Sequence, residues 1–230
     1  MKSMRLKVYW KVGCIMRSYF PNQNALIFYL LGNREGGGSV PDTPVGSWVT
    51  KITDTTSGYL NENEMRHNAK LVWAYFRTQL GWNINSVCAL LGNMEGESTI
   101  NPGLIEVGGG TTSAGAGRGL VQWTPASDLY NALDILYGSH DDWSDGNKQM
   151  ALIYAEYQET MGITHTGIEK QWYSTTEYPL TWAQWASNEL NYSLENLVYS
   201  FAANYLRPAV VKQPRRVSYA QKWLTYFVKG

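Results

Sequence analysis

GNMEGESTINPGLIEVGGGTTSAGAGRGLVQW, residues 92–123, is where a helical pattern breaks into a glycine-rich loop and then gives way to a helix again. Upstream, Asn85 is placed to cap a helix that carries Val87, Leu90, Leu91 and Met94 on one face. Asn101-Pro102-Gly103 cannot continue it, so the helix is predicted to end at or just before Glu97. A helix C-terminus presents unpaired carbonyls and the negative end of the macrodipole. A carboxylate there, partly buried, is driven toward its protonated form. That is the state a general acid needs to protonate a glycosidic oxygen. Helical angle alone does not choose between Glu97 and Glu95, which flank opposite edges of the same apolar arc. Glu97 is favoured by its place at the junction of helix and loop.

The loop holds Gly108, Gly109, Gly110, Gly115, Gly117 and Gly119, six glycines in twelve residues. Such density lets backbone come close to a ligand. It is not a phosphate loop, because no Gly-Lys-Ser/Thr follows and no strand precedes it. A flexible linker is the alternative, but the glycines run directly into Leu120-Val121-Gln122-Trp123 and a helix with clear boundary signals. Gln122 offers an amide and Trp123 a stacking face, both suited to an N-acetylated sugar, although Trp123 taken singly reads as core. Between Ser98 and Ser127 the only acid is Glu106, the candidate second carboxylate. Two-carboxylate glycosidases hold their acids about 5–5.5 Å apart when retaining and about 6.5–9.5 Å apart when inverting. If Glu106 points away, Glu97 works alone. Glu156, opposite a Met150/Ile153/Tyr157 stripe, is a lesser candidate and is expected to be solvated.

Further helices follow on both sides. Asn61 and Glu64 have capping-box spacing ahead of Met65, Ala69, Val72, Phe76 and Leu80, with Gly81 as the stop. Thr124-Pro125 reads as an N-cap and N1 proline for a helix ending at Gly138. Asp145 opens another, and Ser193 opens one with Leu197, Val198 and Phe201 inward, stopped by Pro208. Pro214 opens the last. The fold class is therefore mainly α, with a small Gly-rich loop or β segment. Residues 1–57 form an N-terminal arm and Gly/Pro-rich connector, with one strand expected over Trp48–Ile52, and residues 58–230 form the helical domain.

The chain has 230 residues, 44% apolar and 13% aromatic with ten Trp, so it can build a packed core. Lys+Arg and Asp+Glu are both 19, which argues against a nucleic-acid partner held by phosphate neutralisation. The balance hides two basic ends: residues 1–17 and 207–230 contain no acid, and the 189 residues between them carry a net charge of −11. These ends read either as solvated or as docking onto an acidic partner. The longest early apolar run, Ala25–Leu31, is seven residues, against about 20 for a membrane span. Neither a span nor a secretory signal is predicted. The histidines His67, His140 and His165 are scattered, so no metal and no cofactor are expected. Cys88 reads as a buried structural thiol.

Three pieces carry a resemblance: Glu64-Met65-Arg66-His67-Asn68-Ala69, Leu91 through Gly103, and Gly119 through Pro125, with Tyr205-Leu206-Arg207-Pro208-Ala209 and Gln213-Pro214 later. In this order they are similar to the tail-associated lysozymes of phages that infect Gram-positive bacteria, over roughly residues 59–228. The resemblance implies a lysozyme-like fold with a cleft, and cleavage of the β-1,4 bond between N-acetylmuramic acid and N-acetylglucosamine in peptidoglycan glycan strands. It assigns Glu97 as the catalytic glutamate and Gln122 to the saccharide groove, and Tyr205 falls where the family commonly has Tyr-Glu-Arg-Pro; Gln122, Trp123 and Tyr205 are the candidate substrate-binding residues. Leu206 stands where the family commonly has Glu. Other virion tail proteins would be partners, through residues 1–57, and the site of action would be the bacterial cell wall. Two other readings are a catalytically inactive glycan-binding tail protein, and the same domain serving conjugation or host lysis.

Overall fold

The computed structural model describes residues 46–163 and 167–229. Seven α-helices dominate it. Helix α1 (Glu62–Val72) begins with the expected box: Asn61 Oδ1 accepts from the Asn63 and Glu64 N–H groups, and Glu64 Oε2 accepts from the Asn61 N–H. It continues as a π-helical segment, Trp73–Gln79. Helix α2 (Ile84–Ser98) is capped by Asn83 rather than Asn85 and runs one residue past Glu97. It is buried from Ser86 through Glu95, so it is the central helix, apolar almost all round.

Helix α3 (Ala126–Tyr137) has Pro125 at the N-cap, one position earlier in the helix frame than expected, and stops at Gly138, whose φ is 76°. Helix α4 (Gly146–Thr160), capped by Asp145, is also buried along most of its length. Helix α5 (Trp182–Ser187) was not anticipated. A Thr181/Gln184 capping box starts it, but six residues are too few to show a period. Helix α6 (Leu194–Phe201) extends through a π segment, Ala202–Leu206, and α7 (Pro214–Lys229) closes the chain. At the α2–α7 crossing a Cβ on Gly92 would lie 2.6 Å from the Arg216 carbonyl oxygen and 2.7 Å from the Ala220 nitrogen. Glycine is required there for the helices to approach so closely.

Most tryptophans among the described residues serve the core. Trp82, Trp123, Trp172, Trp182, Trp185 and Trp223 are all buried. Trp172, Trp182, Trp185, Phe201 and Tyr205 form one ring cluster with centroid separations such as 5.3 Å for Trp172–Trp182 and 4.7 Å for Phe201–Tyr205.

Residues 1–45 lie outside the described residues, and with them most of the N-terminal arm. Residues 46–57 are bonded to the helical body. Trp48 Nε1 donates to Asn147 Oδ1 at 3.0 Å, and Asn68 brackets Val49, accepting from its N–H and donating to its carbonyl. Asn101 does the same for Lys51. The strand expected over Trp48–Ile52 does not form; side-chain amides take the place of a partner strand, and only Thr53 makes a bridge, to Leu104.

The basic C-terminal end is paired in part and exposed at Arg207, Lys212 and Arg215. Lys222 pairs with Glu62 and Glu95, Lys212 with Glu177, and Arg216 with Glu97. These three cations are matched by acids from elsewhere in the chain, which composition could not reveal.

Candidate active site

A cleft of about 470 Å³ opens between the end of α2, the glycine-rich loop and the segment after α6. Glu97, Glu106 and Gln122 all line it, so three residues singled out in the sequence meet on one surface. Tyr59, Leu206 and Arg207 complete its rim. Trp123 and Tyr205 are not brought to that surface. They are 5% and 4% exposed and belong to the core, where the Tyr205 ring packs against Phe201 and Trp182.

The end of α2 is held firmly. Thr99 and Ile100 both take positive φ, 54° and 59°, an uncommon and strained pair for branched residues. Thr99 Oγ1 accepts from the Leu60 N–H, and Asn101 donates to the Lys51 and Gly58 carbonyls. Ser98 Oγ donates to the Met94 and Leu120 carbonyls, tying helix to loop. These contacts hold the chain as it turns, and Glu97 stays at the cleft with its side chain 19% exposed. Glu95 points elsewhere: it accepts from Lys222 Nζ at 2.7 Å and Trp223 Nε1 at 2.8 Å. Burial raises its pKa, opposed by Lys222. The two acids that helical angle could not separate are thus separated by what α7 offers each.

The glycine-rich loop is ordered by Arg118, whose role no sequence periodicity marks. Its guanidinium is 2% exposed and donates to the carbonyls of Thr111, Ser113 and Gly117, while its Nε reaches the Tyr130 hydroxyl. A buried cation bonded to successive carbonyls pins a loop as a carboxylate could not. Glu106 Oε2 accepts from the Gly117 N–H at 3.0 Å. Gln122 Nε2 donates to the Leu104 and Gly119 carbonyls, both at 3.0 Å. Gly119 must lack a side chain, since a Cβ would lie 2.6 Å from Gln149 Oε1, which itself accepts from the Leu120 N–H.

Below the cleft sits the residue that the helical stripe misplaced. Glu156 is 2% exposed, not solvated, because α4 is buried on both sides. Burial pushes its pKa up to about 8, against the opposing hydrogen bond from the Tyr205 hydroxyl at 2.5 Å. The Trp123 indole N–H also favours the anion, without closing a hydrogen bond of ordinary geometry. Cys88, likewise buried, is pushed up to about 12 and is inert as a nucleophile. His67 bonds the Ser47 carbonyl and His140 pairs with Asp134, while His165 lies outside the described residues. No metal-binding cluster occurs among the described residues, and none of their helices is long and apolar enough to cross a membrane.

Residues 67–227 match the family described as phage tail lysozyme. The chain is also 33% identical over 168 residues to Morphogenesis protein 1 of Bacillus phage B103, an alignment that covers 73% of this chain and 41% of that protein. The chain therefore spans about two fifths of the length of that curated relative.

Proposed function

This chain belongs to the phage tail lysozyme family, and from that premise we propose that it is a muralytic glycosidase of the virion tail. It cuts the β-1,4 bond between N-acetylmuramic acid and N-acetylglucosamine during infection. The observation that carries this reading is the convergence of Glu97, Glu106 and Gln122 on one cleft at the end of α2.

Glu97 acts first as general acid. Its proton passes to the glycosidic oxygen as the C–O bond breaks and the electron pair leaves with that oxygen. Gln122, its nitrogen committed to the loop backbone, has Oε1 left to accept from a sugar N–H or hydroxyl. Glu106 is the candidate second carboxylate, steadied by the Gly117 N–H. Without its participation the muramoyl 6-hydroxyl attacks internally, the Glu97 carboxylate takes its proton, and a 1,6-anhydro end results. Trp123 and Tyr205 support the floor of the cleft rather than touch the strand.

Mass spectrometry of muropeptides released from purified cell walls tests the proposal. New reducing muramoyl ends identify a hydrolase, and 1,6-anhydro ends identify a transglycosylase. Walls left without new glycan ends would reject both and leave a glycan-binding tail protein.

A further inference from the structure

Arg216 takes no part in the chemistry above, yet its surroundings are built around it. It lies in the first turn of α7, 119 positions from Glu97 in sequence. Its side chain is 3% exposed, and Nη2 donates to Glu97 Oε1 at 2.7 Å. Nη1 lies 3.3 Å from the Asn93 carbonyl and 3.4 Å from Asn93 Oδ1, and Nε has no partner. Helix α2 makes room for it: a Cβ on Gly96 would stand 3.2 Å from both Arg216 Cγ and Nη1. A guanidinium taken out of water is costly unless it is paired. Here its charged partner is the acid at the mouth of the cleft.

We propose that Arg216 is a positioning residue for Glu97, holding Oε1 so that Oε2 is the oxygen that exchanges a proton with the glycosidic bond. This rests on the reading of Glu97 as the general acid. When the Oε2–H bond breaks, the carboxylate that remains is already hydrogen-bonded to a cation, which favours proton delivery. The other titratable groups sharing the cleft are Glu106, Arg207 and Tyr59; on α2 itself, Glu95 is engaged by Lys222.

The test compares the full chain with Glu97→Gln, Arg216→Met and Arg216→Lys on a soluble peptidoglycan glycan fragment from pH 4 to 9, with circular dichroism as the folding control. In Arg216→Met kcat should fall on the order of tenfold to a hundredfold with KM little changed. Arg216→Lys, whose single ammonium cannot bridge Asn93 and Glu97 as the fork does, should recover only part of kcat. A folded Arg216→Met with the parent kcat and KM overturns the proposal. If that variant does not fold, unchanged kcat in Arg216→Lys overturns it. An active Glu97→Gln removes the underlying reading instead, so the two failures are distinguishable.

Discussion

Replacing Glu156 by Gln removes a titratable proton from the middle of the helical body while keeping an oxygen for the Tyr205 hydroxyl to donate to. In the folded chain burial raises this carboxyl from 4.5 to about 8. Between those values the folded protein keeps a proton that the unfolded chain has released. Stability from this group is therefore fully present below about pH 4.5, falls as pH rises, and levels off above about 8. The gap between 4.5 and about 8 corresponds to a loss of about 5 kcal/mol, set by a group that is 2% exposed and so little screened by solvent. Glu156→Gln carries no such dependence. Urea unfolding followed by tryptophan fluorescence at pH 5, 6, 7, 8 and 9 reads the difference directly. The two proteins should be close at pH 5, and the variant should be the more stable by about 4 kcal/mol at pH 8–9. Parallel stability curves across that range would refute the assignment of a protonated carboxyl beneath the cleft.

Four further outcomes are expected. Arg118→Met strips the donors from the loop carbonyls and should cost about 2–4 kcal/mol in urea unfolding, with new proteolytic cleavage between residues 108 and 117. Gly92→Ala drives a methyl into the α7 backbone and should destabilise by about 1–3 kcal/mol, measured the same way. Glu106→Gln separates the two mechanisms: loss of cell-wall cleavage marks a second carboxylate, and retained cleavage with anhydro products marks Glu97 working alone. Removing residues 1–45, and leaving the bonded segment 46–57, should preserve glycan cleavage while abolishing incorporation into particles, scored by immunoblot of purified virions.

Local signals were the most legible. Asn61 with Glu64, Asp145 and Ser193 all cap helices where side-chain chemistry places them, and Asn101-Pro102-Gly103 ends α2 within a residue or two of Glu97. Helix α5 escaped because six residues hold too little period to separate helix from loop. Glu156 was misplaced for a different reason. Stripe logic assigns one face to solvent, and α4 has no such face along most of its length. Arg216 was illegible because its pairing depends on the close approach of α2 and α7 at Gly92, a tertiary fact 119 positions removed in sequence from Glu97. Arg118 was hidden inside its own loop: glycine content suggested looseness, while the single buried cation that orders the segment leaves no periodic trace. Trp123 and Tyr205 show the limit of residue type, since an aromatic ring suits a sugar face and a core equally well.

The most direct measurement is turbidity clearing of purified Gram-positive cell walls by the parent chain and by Glu97→Gln, with circular dichroism confirming that both are folded. Clearing by the parent and loss of clearing by on the order of a hundredfold or more in the variant is the expected result. Equal clearing by the two would show that the carboxyl at position 97 does not carry the reaction.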